Sequence, residues 1–313
     1  MKYSGVGGQA VMEGVMMRNQ DQYAVAVRKP DDEIEVKISE YQGLIKNKTI
    51  KKLPIIRGVM SFIDSLYLGT STLMYSASFY EDEEEECKKK GLSKDELDAY
   101  NLKKNKEDKK LMGATLCFSI VFSILLFFVL PYVFSIFFEK MIGSKTIITL
   151  IECLIRLMIF VGYIAIISLT PDIKRVFMYH GAEHKCINCI EHGLELNVDN
   201  VRKSSKHHKR CGTSFLLIVM IISMVFFMFI QFKSHIARLV LRLVCIPIIA
   251  GVSYEFIRLA GKGDNLLVNI LSAPGLWLQR LTTKEPDDDM IEVGIASVEA
   301  VFDWKEWQKE QNV

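Results

Sequence analysis

The run Leu111–Phe138, LMGATLCFSIVFSILLFFVLPYVFSIFF, carries no charged side chain from end to end. A helix needs about 20 apolar residues to cross a ~30 Å hydrocarbon layer. This stretch therefore decides the fold class, a mainly α-helical protein that passes through a membrane. Three comparable runs follow. Ile147–Leu169 carries Glu152 and Arg156 at i and i+4, and Ser214–Phe232 is uncharged. Ile236–Ala260 has Arg238 and Arg242 near its start and Glu255 and Arg258 near its end. Charge within a bilayer is costly unless paired or snorkelling, so the first and third runs make the stronger spans. The expectation is a multi-pass membrane protein with about four transmembrane helices over 111–260, and the lipid bilayer as its partner.

Composition agrees. Half the chain is hydrophobic and 24% is charged, with a mean hydropathy of +0.20. Such a mixture resolves by segregation into apolar and charged stretches. A formal net charge of +2 gives no basic excess of the kind nucleic-acid binding needs, and no nucleic-acid partner is expected. Lys103, Lys104, Lys106, Lys109 and Lys110 crowd the entry to the first run, and the segment between the second and third is rich in Lys and Arg. The positive-inside rule then puts both termini and segment 171–212 on the cytoplasmic side of the cell membrane. Arg238 and Arg242 fall toward the outer face in this arrangement, against the rule. The start, MKYSGVGGQAVMEG, lacks an apolar h-region, so no cleaved signal peptide is expected. Seven cysteines, several within apolar runs, suit packing and a reducing side better than a disulfide framework.

Before the first span, residues 1–53 form a small β unit. Val11–Arg18, Tyr23–Lys29 and Ile34–Ser39 are its strand candidates, separated by turns at Asn19-Gln20-Asp21 and Pro30-Asp31-Asp32. Gly5, Gly7 and Gly8 fit tight turns, or less commonly a nest for an anion. Residues 54–80 suit an interfacial or core helix, and 81–110 is a charged linker or solvated helix. After the last span, 261–313 holds amphipathic cytoplasmic helices, one at Pro274–Thr283 with Trp277 at an interface and one at Asp287–Phe302.

The chemistry gathers in Thr170–Gly193, TPDIKRVFMYHGAEHKCINCIEHG. Thr170 can N-cap a helix, Pro171 fits its first turn and Asp172 suits its dipole. At ~100° per residue, Ile173, Val176, Phe177, His180, His184 and Ile187 share a stripe, with Lys174, Arg175 and Lys185 opposite. His180 and His184, at i and i+4, can meet one metal ion, and Glu183 borders the same face. His-Gly-Ala-Glu-His fits H-x-x-E-H, two ligands with a glutamate to handle a water proton. Two core histidines bonded to backbone would look the same at this level. A catalytic metal site wants a third protein ligand. Cys186 and Cys189 face away on the wheel, which leaves His208, Cys211, Glu13 and Glu255, with His208 preferred because its loop returns beside the histidine helix. Otherwise the basic cluster around His208 would contact anionic lipid.

Several blocks together resemble the YqhQ-like family of bacterial membrane proteins of unknown function, described as predicted metal-dependent enzymes. They are GGQAVMEGVMMR at Gly7–Arg18, P-x-x-RG at Pro54–Gly58, YHGAEHK at Tyr179–Lys185, H-x-RCGTSF at His208–Phe215, SYE at Ser253–Glu255 and PGLWLQ-x-LTTKEP at Pro274–Pro286. Lys209 stands where the family pattern has proline. The resemblance implies a metal-dependent activity and names no substrate.

The leading expectation is a metal-dependent hydrolase at the cytoplasmic membrane surface, with a divalent metal, zinc first and iron or manganese as alternatives. Its site would use His180, His184 and His208 as ligands, Glu183 as proton carrier, and Glu13, Cys211 and Glu255 as additional candidates. A peptide or a lipid ester would suit such an enzyme. The alternatives are a non-enzymatic scaffold with a structural metal or histidine cluster, and a transporter using Glu152, Arg156, Glu255 and Arg258.

Overall fold

The computed structural model describes residues 2–43, 53–80, 94–139, 141–230, 234–260 and 266–311. The chain is mainly helical with a small N-terminal antiparallel sheet of four strands. Its contacts divide it into two units. One comprises Met1–Phe79, Gly162–Phe226 and Val244–Val313; the other comprises Tyr80–Val161 and Phe227–Leu243.

In the first unit, β1 (Val6–Val11), β2 (Gly14–Asn19), β3 (Gln22–Arg28) and β4 (Ile34–Glu40) pair in sequence order. The stretch expected as a single strand over Val11–Arg18 is divided. The chain reverses at Met12 and Glu13, where Glu13 takes a left-handed φ of 47°, and Val11 pairs with Gly14. Gly7 and Gly8 lie within β1 rather than in a turn. Gly8 is there for close approach, since a Cβ would stand 2.7 Å from the Met16 carbonyl and 2.9 Å from Glu183 Cγ. Gly5 does take a positive φ, 78°.

Helix α1 (Ile56–Ala77) follows, and residues 44–52, expected within the β unit, lie outside the described ones. The histidine helix α5 spans Pro171–Glu191 and α11 spans Asp288–Glu299. Both pack on the sheet. Val15, Met17, Ala24 and Ala26 from the strands meet Ile187, Ile190, Ile291 and Val298 from the helices, all buried. Each large aliphatic side chain contributes about 1.5–3 kcal/mol of burial. Thr170 holds the N-cap position of α5, but its hydroxyl donates back to the Ile167 carbonyl at 2.7 Å instead of capping. From Gly181 to Glu191 every residue is buried. Lys185, expected on the exposed side, is therefore enclosed, donating to the carbonyls of Arg202 and Ser204 at 2.8 and 2.9 Å and pairing with Glu285. A single apolar stripe does not describe a helix covered by a sheet, a second helix and a loop.

Among the described residues, three helical stretches are long and apolar enough to cross a membrane: Gly113–Glu139, Lys145–Ile167 and Gly212–Phe229. The shortest, of 18 residues, rises about 27 Å at ~1.5 Å per residue. The first joins α2 (Lys94–Ile124), a π-helical turn (Leu125–Val129) and α3 (Leu130–Glu139); the others are α4 (Lys145–Ile167) and α7 (Gly212–Phe229). The π turn has a local cause. Pro131 lacks the N–H that would bond the carbonyl of Phe127, and that carbonyl accepts instead from Arg156 Nε at 2.8 Å. The fourth run is not one straight helix. Ile236–Val244 and Ile246–Arg258, within α8 (His235–Val244) and α9 (Ile246–Ala260), meet at 41°. Pro247, two residues past the break at Cys245, disfavours a continuous helix there. The pair counts as a fourth candidate span if it crosses as a unit.

The charged linker falls partly outside the described residues, at 81–93, and its remainder opens α2. Helix α6 is Val198–Lys203, α10 runs Leu266–Thr282 with Pro274 inside it, and α12, Trp304–Gln311, closes the chain.

Candidate metal centre

Three potential ligand atoms converge, one each from His180, His184 and Cys211, all within 4.8 Å of one another. The two histidines project one turn apart from α5, and their ring centroids are 4.4 Å apart. Cys211 immediately precedes the first residue of α7, and its Sγ lies 3.2 Å from His180 Nε2 and 3.0 Å from Thr213 Oγ1.

Backbone sets both imidazoles. His180 Nδ1 is 2.8 Å from the Thr282 carbonyl and His184 Nδ1 is 2.7 Å from the Lys206 carbonyl. A carbonyl can only accept, so each Nδ1 must carry a proton and donate. In the neutral ring each Nε2 then keeps its lone pair, the arrangement that metal-ligating histidines use. Thr282 reaches His180 because the chain beyond α10 crosses α5 at Gly181. A Cβ on Gly181 would stand 2.0 Å from the Lys284 carbonyl oxygen, and the Lys284 N–H donates to Phe177 at 2.8 Å. Lys206 is brought in by the loop after α6, which Asn188 holds through the carbonyls of Ser205 and His207 at 2.6 and 3.0 Å.

Burial resists charge here, yet the Cys211 sulfur draws the His180 imidazole up to about 9. Burial likewise opposes a thiolate, but the two imidazoles hold the Cys211 thiol well below its usual range. Glu183, between the histidines in sequence, is buried, and burial pushes its carboxyl up against the pull of both rings and the Gly8 backbone N–H. Its Oε2 is buried without a hydrogen-bond partner. These groups line a cavity of about 630 Å³ whose walls include Gly8, Gln9, Phe177, Arg18 and Arg210.

The other candidates lie elsewhere. His208 is buried, with its ring centroid 5.8 Å from that of His184, but its Nε2 faces Glu191 at 3.4 Å. Gln279 holds the His208 backbone, accepting from its N–H at 2.9 Å and donating to its carbonyl at 2.7 Å. Burial lowers the His208 imidazole while Glu191 pulls it upward. Glu191 also accepts from Ser4 and Arg210, which ties the N-terminal segment to the loop. Glu13 sits at the β1–β2 turn, bound by the Arg175 guanidinium and by Tyr179. Glu255 on α9 pairs with Arg57 of α1, where Gly58 and Gly251 let the two helices approach. Cys186 packs against Gly294 and Cys189 against the 194–195 carbonyls, so neither faces the cluster.

Sequence reasoning missed the supporting groups: Gly8, Gly181, Gln279 and the Thr282 and Lys206 carbonyls. A glycine inside a helix, flanked by histidines, was the available signal, because such a glycine admits another backbone.

The chain matches the family described as "Protein of unknown function (DUF1385)" over residues 53–304. It is 36% identical over 300 residues to "Uncharacterized protein YqhQ" of Bacillus subtilis (strain 168), an alignment covering 93% of this chain and 90% of that one. No solved structure matches it.

Proposed function

Starting from a chain that belongs to the DUF1385 family of proteins of unknown function, we propose that it is a membrane-bound, metal-dependent hydrolase working at the cytoplasmic surface of the cell membrane. One observation carries the reading: two imidazole Nε2 atoms, with both Nδ1 atoms turned to backbone carbonyls, and the Cys211 sulfur meet beside a buried carboxylate oxygen that has no partner, at the wall of a cavity. Three protein ligands leave a position open for water or substrate. The thiolate turns the donor set toward zinc, since iron or manganese gains less from sulfur. Zinc held by His180, His184 and Cys211 would supply Lewis acidity to a substrate carbonyl or phosphoryl oxygen.

The chain's own groups would do the rest. Glu183 Oε2, lacking a partner, is the acceptor for the proton of an attacking water, and desolvation of that carboxylate raises its basicity. The Gly8 N–H holds the carboxylate against the strand, and Thr282 and Lys206 fix the rings through Nδ1. A scaffold role would need a closed fourth ligand. The cavity beside the cluster favours the enzyme instead.

The test is metal content and function in parallel. Purified wild type should hold zinc, the His180→Ala, His184→Ala double variant should hold none, and Glu183→Gln should keep the metal while failing to complement a deletion strain. Equal, negligible zinc in wild type and double variant removes the metal reading. Full complementation by Glu183→Gln removes the hydrolase. A second reading rests on the 3.2 Å contact between Cys211 and His180, which would suit a thiolate nucleophile and its base. Function insensitive to chelation yet abolished by Cys211→Ser would select it.

A further inference from the structure

A second cavity, of about 610 Å³, adjoins the cluster. Its size is that of a ligand site, for which ~300–1,000 Å³ is usual. Its walls are mainly apolar, with Phe62, Leu66 and Leu73 from α1, Phe215 and Leu216 from α7, and Ile257 from α9. Gln9, Ser65, Arg210, Cys211 and Gly212 line both cavities. The proposed ligand Cys211 thus stands where a polar chamber and an apolar one meet.

We propose that the apolar cavity receives the hydrocarbon chain of a lipid substrate whose head group occupies the polar cavity, so that the bond to be cleaved lies at Cys211 and the two histidines. This names the substrate class of the hydrolase above and rests on that reading. The chemistry of the walls selects a lipid over a peptide. A peptide backbone brings an N–H and a C=O per residue that need partners, and the apolar cavity offers few. The Thr70 hydroxyl there already donates to the Leu66 carbonyl at 2.7 Å. A hydrocarbon chain asks for none. Entry is available from the apolar side, because Leu66, Leu73 and Leu216 are 54%, 45% and 41% exposed. Leu216 belongs to α7, one of the helices apolar enough to cross a membrane. The polar side supplies the opposite character. Its permanently charged cations are Arg18 and Arg210, held in place by Tyr41 and by Glu191 and Tyr3.

The experiment uses the full chain in nanodiscs of phosphatidylglycerol and phosphatidylethanolamine. The probe is a lysophosphatidylglycerol carrying a photoreactive diazirine in the outer half of its chain, with a diazirine fatty acid of equal length as the second arm. Irradiation followed by peptide mass spectrometry should place label within 62–73 and at 215–216, with unlabelled lysophosphatidylglycerol competing it away. Stronger labelling by the lysophospholipid than by the fatty acid shows that the head group contributes. Ser61→Trp and, independently, Thr70→Phe should reduce this labelling to background while label on the exposed Phe118 stays constant. His184→Ala should lose zinc but keep the label, which would support the lipid site even if the hydrolase reading falls. Labelling equal in wild type and both filled variants, or absent from 62–73 and 215–216 while zinc is retained, overturns the lipid assignment and leaves the metal centre standing.

Discussion

Two buried carboxylates of this protein, Glu152 and Glu183, are treated in opposite ways. In the second unit, Glu152 accepts from Arg156 at 2.8 Å and from Arg242, and both guanidiniums stack on Phe227 with centroid distances of 4.9 and 5.0 Å. In the unit that holds α5, Glu183 keeps an oxygen with no donor while two imidazoles sit beside it. A carboxylate with both oxygens taken by donors is a brace. One left short of a partner in a cavity wall is where chemistry is to be sought. The comparison also explains how Arg242, which ran against the positive-inside pattern, is accommodated at 1% exposure. Its charge is shared with Glu152.

The largest effect should come from breaking the brace. Glu152→Ala leaves two buried guanidiniums facing one another, and removing one member of such a set costs about 3–5 kcal/mol. Unfolding of detergent-purified protein by heat or denaturant would measure it. A loss far smaller than that would mean Glu152 is no brace, and the contrast with Glu183 would collapse.

Gly181→Ala comes next. A methyl 2.0 Å from the Lys284 carbonyl must push the crossing segment away, with an overpacking cost of about 1–3 kcal/mol. It should also release the Thr282 carbonyl from His180, so metal content should fall with the thermal midpoint. A variant that loses stability yet keeps its full metal would show that the crossing supports the fold and not the rings.

The smallest effect at neutral pH belongs to Glu191→Gln. The amide oxygen keeps its Ser4 partners, and a hydrogen bond to a charged acceptor exceeds a neutral one by about 1 kcal/mol. Burial works against the Glu191 carboxylate, but His208, Ser4 and Arg210 together hold its carboxyl below the ordinary 4.5. A folded-state value below the unfolded one gives stability that is present above pH 4.5 and lost as the pH falls through the depressed value. Glu191→Gln should therefore flatten the acid limb of the stability profile below that pH. An unchanged acid limb would place Glu191 with neither class of carboxylate.

Much of this plan was legible in local sequence. The uncharged run over Leu111–Phe138, the turn at Asn19-Gln20-Asp21 and the helix opening at Pro171 each follow from short-range rules of hydrophobicity, turn geometry and the fixed φ of a first-turn proline. The failures share one cause, which is contact across long separations. Gly7 and Gly8 have little strand propensity of their own, and they lie in β1 because they pair with Arg18 and Met17 of β2. Lys185 looked solvent-facing because nothing local foretells the loop that covers it. Sequence alone leaves the third candidate ligand among four residues, His208, Cys211, Glu13 and Glu255, with His208 preferred. Cys211 and not His208 meets the two histidines, because the His208 Nε2 faces Glu191 while Gln279, 71 residues beyond, holds its backbone.

The carbonyl that orients His180 comes from Thr282, 102 residues later. A ribosome therefore finishes the histidine helix, and everything up to α10, long before the ring acquires its permanent tautomer. Through that interval the nascent chain carries the imidazoles and the thiol without the contact that aims His180. Any metal the cluster takes would thereby wait for the closing moments of synthesis, and a message truncated ahead of codon 282 would yield a polypeptide with every candidate span but an unset cluster.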